Sequence, residues 1–238
     1  MNLIEIAKIW EKHLSLTQPI VAIAFLEHPP EKVARSSEAA PSACTFWRRG
    51  QQQLFYATAE DHENCPIGLM TMGFPMTTEK GSEAESLIST MANLHYFNPA
   101  EVAHIQTIKK SHQVVVYGPL SEFPTEPDQI LLLLTPYQMM IAIESLGGAT
   151  WAENQPLGTF GRPACAALPK AEQLNSSTIS LGCIGARTYT NLPHEEMLLV
   201  VPVAEFAKAT EQLVKVASAN QQLACFHNDK KRAITMGM

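Results

Sequence analysis

A pair of cysteine motifs that occurs in both halves of the chain is the feature that most constrains its fold. In the first half, "PSAC" (41–44) opens a short helical piece, and "CPIG" (65–68) follows the next strand pattern. In the second half, "RPAC" (162–165) precedes a strand pattern, and "CIGA" (183–186) follows it. We predict two related halves that pack about a pseudo-twofold axis, with four cysteines near one cleft. The alternative is an accidental match of short motifs.

Helix and strand patterns alternate along the chain and predict an α/β fold, with mixed α+β as a possible variant. Apolar residues at helical spacing predict a helix over 3–14, and continuous apolar runs rich in β-branched residues predict buried strands. Further helices are predicted over 43–50, 83–96, 136–147 and 204–223, and strands over 19–27, 53–59, 113–120, 129–135, 177–183 and 196–203. Thr135 and Pro136 supply the start of one helix, and Gly147 with Gly148 its end.

The length of 238 residues is enough for one large domain with a complete core. We therefore predict a single compact globular domain over 1–238. Within it, residues 17–110 form the first cysteine-motif half and residues 111–223 the second.

Charge and hydropathy exclude two classes of partner. The net charge of −6 argues against nucleic acid, because binding phosphates needs a clustered excess of Lys and Arg. No apolar run reaches the roughly 20 residues that a membrane span needs. The N-terminal pattern is amphipathic and unlike a signal peptide, so we expect a cytoplasmic protein whose cysteines stay reduced. A small-molecule ligand or cofactor remains as the expected partner.

Two of the cysteines are predicted to lie in the first turn of a helix. Ser42 can cap a helix that contains Cys44, and Pro163 can begin a helical piece that contains Cys165 and that Pro169 ends. Backbone N–H groups at a helix start stabilise a thiolate, so both thiols could be acidic. The alternative is that these small side chains only fill space under a helix start.

The other two motif cysteines follow strands and stand beside glycines. Turns after strands often hold ligands, since their backbone N–H groups are free and glycine permits a close approach. Together with Cys65 and Cys183, this pattern predicts a site for an anion or cofactor. The predicted cofactor-binding residues are Gly68, Gly182, Gly185 and Arg187. The alternative is a tight turn in which the arginine pairs with a surface carboxylate.

His62 and Cys65 have a spacing that suits either a metal or a nucleophilic site. An H-x-x-C pair can bind one metal ion, with Asp61 orienting the imidazole. In a Cys–His enzyme without a cofactor, Cys65 or Cys44 would be the nucleophile, His62 the base, and Asp61 or Glu60 the orienting group. His62 and Asp61 are therefore candidate catalytic residues.

Our leading hypothesis is a thiolate-bound redox cofactor, namely an iron–sulfur cluster in a cleft between the halves. Its predicted metal ligands are Cys44, Cys65, Cys165 and Cys183, whereas Cys225 near the C-terminus is assigned no function. The chain has no C-x-x-C pair, which argues against a zinc knuckle. A non-enzymatic alternative is a haem, another tetrapyrrole or a similar apolar ligand against methionines, which could equally be core residues. The side chains concerned are Phe74 and the methionines Met70, Met72, Met76, Met139 and Met140.

Five ordered motifs give the chain a resemblance to the ArCR-type proteins, a prokaryotic family catalogued as a domain of unknown function. The motifs are "PSACTFWRRG", "DHENCPIG" with Gly73 beyond it, "TPYQMMIAIESL", "GRPAC" and "SLGCIGAR". They cover roughly residues 17–206. The resemblance implies that the four motif cysteines and Arg187 belong to the family pattern, and it brings no established reaction.

Overall fold

The structure is a computed structural model that describes residues 2–96, 98–148 and 163–236. Its helices are α1 (Leu3–Leu14), α2 (Ala43–Gly50), α3 (Ala59–His62), α4 (Pro66–Thr71), α5 (Thr78–Asn93), α6 (Pro136–Ile143), α7 (Ala167–Leu174), α8 (Ile184–Thr190) and α9 (Val203–Met236). Its strands are β1 (Val21–Leu26), β2 (Phe55–Thr58), β3 (Val114–Pro119), β4 (Gln129–Leu134), β5 (Thr178–Ser180) and β6 (Met197–Pro202).

The six strands form one open sheet in the order β2-β3-β1-β4-β6-β5. Every neighbouring pair is antiparallel. Helices cover both faces of this sheet, so the α/β prediction is confirmed in its mixed α+β form.

The strand pairing divides the sheet into two units with the same connectivity. In each unit the first strand lies at the centre of the sheet, the third strand pairs with it, and the second strand lies at the edge. The register is also the same: Val21 opens β1 opposite Pro119, which closes β3, and Gln129 opens β4 opposite Pro202, which closes β6. β1 and β4 pair with each other and join the units.

The backbone just outside these strands follows the same pattern. The N–H of Leu120 donates to the carbonyl of Ile20 at 2.8 Å, and the N–H of Val203 donates to the carbonyl of Asp128 at 3.2 Å. In each unit, the residue after the closing proline thus binds the residue before the first strand. The strand order groups β3 with β1 and β2, so the two strand units divide after Pro119. The two cysteine-motif halves, residues 17–110 and 111–223, stay a prediction.

Two hydrophobic cores lie on opposite faces of the sheet. Alternate β1 residues point to opposite faces, so Ile23 packs under α2, α4, α7 and α8, while Ala22 packs under α1, α6 and α9. On the second face Trp10 stacks on Phe206 with ring centroids 4.3 Å apart, and its indole N–H donates to Thr210 at 3.0 Å. These contacts attach α1 and α9 to each other.

The predicted start of α6 is confirmed, and a π-helical stretch, Glu144–Gly148, continues it to the predicted glycines. Thr135 and Gln138 form a capping box around Pro136, and the chain leaves the helical region at Gly147, whose φ is +90°. Glycine adopts this left-handed conformation without the strain that a side chain would cause.

Other helix boundaries differ from the prediction. Pro169 does not end a helix but lies in the first turn of α7, where the lack of an N–H costs little. α5 begins earlier than predicted because Thr77 caps it, its side chain accepting the N–H of Lys80. α9 continues well past residue 223.

None of the helices in the described ranges is long and apolar enough to cross a membrane.

Candidate cysteine site

Cys44 lies at the start of α2, as the sequence predicts, and its side chain is buried. Ser42 is the N-cap residue of this helix, although its hydroxyl makes no capping hydrogen bond. The following turns bury Phe46 and Trp47 against the same core. The amphipathic pattern of this short helix thus places the thiol under the helix and away from water.

Cys65 and Cys183 occupy equivalent positions at the starts of two short helices. Each is the N-cap residue of its helix, α4 for Cys65 and α8 for Cys183. The Sγ of Cys65 accepts the N–H of Gly68 at 3.3 Å, and the Sγ of Cys183 accepts the N–H of Ala186 at 3.4 Å. Both side chains are partly exposed.

Cys165 lies in a single 3₁₀ turn, Ala164–Ala166, that leads into α7. The sequence predicts Pro163 as the first helical residue. Instead, Pro163 precedes the turn with an extended backbone. The thiol is buried near Thr71 of α4, whose hydroxyl donates to the carbonyl of Gly68 at 3.0 Å. The "GRPAC" motif begins with residues 161–162, which lie outside the described residues.

The four segments that carry these cysteines pack against one another. α2 contacts α4, α8 and the 3₁₀ turn, and α4 also contacts the 3₁₀ turn. Gly68 makes the contact between α2 and α4 possible, since a Cβ there would lie 2.5 Å from the Cβ of Ala43. Two segments come from each unit of the sheet, so the cysteine motifs of both halves meet on one face.

The thiols also interact electrostatically. Burial raises the pKa of the Cys44 thiol well above its usual value, and the thiols of Cys165, Cys183 and Cys65 raise it further. Burial likewise raises the pKa of Cys165, together with Cys65 and Cys183. Coulomb interactions weaken with distance, so this coupling requires neighbouring sulfur atoms. Two of the four thiols are therefore neutral at neutral pH, unless a cation binds beside them.

Within the described ranges, no three His, Cys, Asp or Glu side chains are grouped so that they could hold a metal ion. The four cysteines consequently do not form a single-ion site of the tetrahedral kind in this structure.

His62 is buried in an aromatic cluster, and both of its ring nitrogens have partners. Nδ1 donates to the carbonyl of Thr58 at 2.7 Å, and Nε2 accepts the hydroxyl of Tyr117 at 3.2 Å. Burial lowers the pKa of this histidine to about 4, so the ring is neutral at neutral pH. Among the described residues, neither nitrogen is hydrogen-bonded to a thiol. Its proposed role as a base remains a prediction.

Asp61 faces a different set of groups from those predicted. Its carboxylate accepts the Nε of Arg35 at 3.0 Å and the N–H of Thr58 at 2.8 Å. Burial acts to raise the pKa of Asp61, but the hydrogen bonds from Arg35 and Thr58 outweigh it and hold the pKa below its usual value. The geometry gives Asp61 a role in fixing the turn after β2, and its role beside a catalytic histidine stays a prediction.

Arg187 connects the turn before α8 to the segment after this helix. Its guanidinium donates to the carbonyls of Leu181, Pro193 and Glu196. Gly182 lies against this side chain with φ at +78°, whereas Gly185 lies inside α8. The arginine therefore holds the Cys183 turn in place, and the binding of an anion by Arg187, Gly182 or Gly185 remains a prediction.

Two buried residues beside the cysteines were missed in the sequence. Tyr117 interacts with Cys44 and Cys165, and burial, followed by these thiols, raises its pKa. Trp47 is 3% exposed, and its indole N–H has no hydrogen-bond partner among the described residues. For Trp47 the available signal was its position three residues after Cys44 on one helix. Tyr117 shares a strand face with Val115, which marks it only as a core residue.

The methionines do not form one wall. Met72 and Phe74 are buried in the core beneath the cysteines, whereas Met139 is buried in the core on the opposite face of the sheet. Met76 and Met140 are exposed. The predicted apolar pocket is thus divided by the sheet, and haem binding stays a prediction.

The fold and the site define a mixed α+β protein with a two-unit sheet and four cysteine segments that pack on one face, two of their thiols buried and two partly exposed. The chain belongs to the family of uncharacterised ArCR proteins, whose model matches residues 10–212. This match confirms the resemblance that the motifs indicate. An uncharacterised protein of Methanocaldococcus jannaschii is 23% identical over 218 residues, covering 84% of this chain and 88% of that protein. No solved structure shows a significant match to the chain.

Proposed function

We propose that this protein binds an iron–sulfur cluster through the thiolates of Cys44, Cys65, Cys165 and Cys183. The observation that carries the proposal is the packing of four cysteine segments, two from each sheet unit, against one another. Burial raises the pKa of Cys44 and of Cys165, and the thiols of Cys65 and Cys183 raise both further. The iron ions of a bound cluster would lower the pKa of these thiols, because positive charge favours the thiolate.

The donor set fits a cluster better than a single ion. In a four-cysteine [4Fe–4S] cluster each thiolate binds a different iron, so the sulfurs stand farther apart than around one ion. In the described ranges the four cysteine segments pack together, and no single-ion site is formed among them. The donors are all cysteines, which is the ligand set that iron–sulfur clusters prefer.

Groups around the cysteines also suit a sulfur-rich cofactor. The N–H groups of Gly68 and Ala186 already donate to two of the sulfurs. The buried indole N–H of Trp47, one helical turn from Cys44, needs an acceptor that a cluster sulfide can supply. Hydrogen bonds to sulfur and burial set the reduction potential of such a centre. When bound, a cluster supplies one-electron transfer. All five cysteines are free, which suits the reducing cytoplasm.

Anaerobic purification followed by iron and sulfide analysis tests this proposal. We expect iron, acid-labile sulfide and a broad absorption band at about 400 nm, which is typical of thiolate-bound clusters. Cys44→Ser and Cys165→Ser remove most of the iron, because each deletes a ligand. Cys225→Ser is the matched control, because Cys225 is exposed on α9. We expect this variant to retain the full iron content.

Protein that contains neither iron nor sulfide after anaerobic reconstitution, while remaining folded, would contradict the proposal. The same samples distinguish the alternatives. A sharp Soret band would indicate haem. A single thiol that is alkylated much faster than the others near neutral pH, without any chromophore, would indicate a Cys–His enzyme.

A further inference from the structure

A cavity of about 190 Å³ lies on the cysteine-bearing face of the sheet, where β1 ends and β4 begins. Phe25 and Gln129 of the sheet line it on one side, and Ala171 and Glu172 of α7 on the other. Its lining includes no cysteine. The cavity is therefore a feature separate from the cysteine site.

Gln129 brings a buried acceptor to this cavity. The side chain is 3% exposed, and its Nε2 donates to the carbonyl of Leu168 at 2.8 Å. Its Oε1 has no hydrogen-bond partner among the described residues. A buried amide oxygen without a donor is unfavourable, and its partial negative charge favours a cation nearby.

The lining contains two carboxylates and one ammonium group. The ammonium of Lys110 is held by Asp128, with its Nζ 2.6 and 2.8 Å from the two carboxylate oxygens. Glu172 is instead held by backbone amides, accepting the N–H of Lys109 at 2.7 Å and that of Lys110 at 2.9 Å. These neutral donors fix the Glu172 carboxylate without balancing its charge. The lining therefore carries one excess negative charge.

The opposite sheet unit has no room at the corresponding place. Gly50 of α2 packs so closely that a Cβ would lie 3.1 Å from Val21, which opens β1. In the second unit, the residue that opens the first strand is the polar Gln129, and the covering helix presents Ala171. The cavity thus lies where the two units differ. At this place the second unit has the polar Gln129 where the first unit has Val21.

We propose that this cavity binds a small organic cation with a primary ammonium group. The ammonium has three donors and no acceptor, which matches the partly exposed carboxylate of Glu172, and the buried oxygen of Gln129 adds negative potential beside the cavity. A short alkyl part lies against Phe25 and Ala171. The volume is below the 300 Å³ or so that is typical of drug-sized ligands, so the ligand is a small amine.

NMR titration of the full chain tests this assignment, with n-butylammonium chloride, 1-butanol and sodium butyrate as the probes. We expect n-butylammonium to shift the amide resonances of Lys109 and Lys110 saturably, since these groups donate to Glu172. The neutral and anionic probes have the same chain length, and we expect each to bind at least about tenfold more weakly.

Glu172→Gln removes the charge and keeps one acceptor oxygen, which serves one of the two backbone amides, so we expect n-butylammonium to bind about tenfold more weakly. Glu211→Gln, at an exposed position of α9, is the matched control and leaves binding unchanged. Equal binding of 1-butanol, unchanged binding by Glu172→Gln, or no saturable shift with n-butylammonium would each overturn the proposal. The probe comparison on the unaltered protein decides it even if the variant is unstable.

Discussion

Gly68 lies where two of the cysteine-bearing helices approach each other, and a methyl group there has no space. An added Cβ would lie 2.5 Å from the Cβ of Ala43 and 2.9 Å from the Sγ of Cys65. We expect Gly68→Ala to lower the free energy of unfolding by about 1–3 kcal/mol, because α4 must move away from α2. Chemical denaturation measures this change.

The glycine that follows Cys183 provides the comparison. A Cβ at Gly185 would meet the Sγ of Cys183 and the ring of Tyr189 at 3.9 Å, which is ordinary contact. We therefore expect Gly185→Ala to be tolerated, with a small gain from higher helix propensity. Equal losses in both variants would show that the α2–α4 contact is not as close as described.

His62 gives the fold a dependence on pH. Its pKa is lowered from an unfolded value near 6.5 to about 4, so only the unfolded chain binds a proton between these values. Stability is therefore complete above about pH 6.5 and falls by about 3 kcal/mol as the pH drops to about 4. Denaturation of the wild type and of His62→Gln between pH 7 and pH 4 measures it.

The difference in free energy of unfolding between wild type and His62→Gln should narrow by that amount on acidification. His227→Gln serves as the control, because His227 is exposed on α9. Parallel pH curves for the wild type and His62→Gln would mean that the ring is protonated in the folded protein.

The sequence predicted single residues well where a local rule applies, and poorly where tertiary contacts decide. The positions of Cys44 in α2 and of Thr135 at the cap of α6 follow from caps and helical spacing. The partner of Asp61 does not, because Arg35 is distant in sequence and meets it only through the fold. Tyr117 was missed for the same reason: its neighbours His62 and Cys44 come from other elements.

At the scale of elements, long patterns were predicted correctly and short helices were missed. α1 and α2 match the predicted ranges to the residue. α4 and α8 were interpreted as turns because each spans only about two turns and contains a glycine, and neither begins with a common cap residue. Here cysteine takes the place of Ser or Asp as the N-cap, and this unusual choice is what brings the thiols to the site.

The C-terminal part of α9 contributes little to the core. Leu213 is fully buried, and Asn220 still donates to Glu144 at 2.7 Å, but residues 221–235 are all exposed. We expect truncation after Asn220 to change the free energy of unfolding by less than about 1 kcal/mol. Truncation before Leu213 should cost about 2–5 kcal/mol, since it removes a large buried side chain. Thermal or urea denaturation of both truncations tests this contrast.

At the scale of the molecule, the repeated motifs in the sequence correspond to the repeated order and register of the strands. The motifs alone could not assign β3 to a unit, because this strand contains no cysteine and only its pairing with β1 and β2 reveals its place. Nor could they reveal the cavity beside Gln129, which depends on how closely the helices of each unit approach the sheet.

A site shared by both units makes a prediction that two separate sites would not. If Cys44 and Cys65 held one centre and Cys165 and Cys183 another, a variant in one unit would keep about half of the iron. Because α2 contacts α8 and the 3₁₀ turn of the other unit, we expect one centre per chain. Cys65→Ser and Cys183→Ser should then lose iron to the same extent, and combining them should add little further loss. Iron and sulfide analysis of the two single variants and the double variant, purified anaerobically beside Cys225→Ser, measures this. Half-retention in each single variant with complete loss in the double variant would show that each unit binds its own metal.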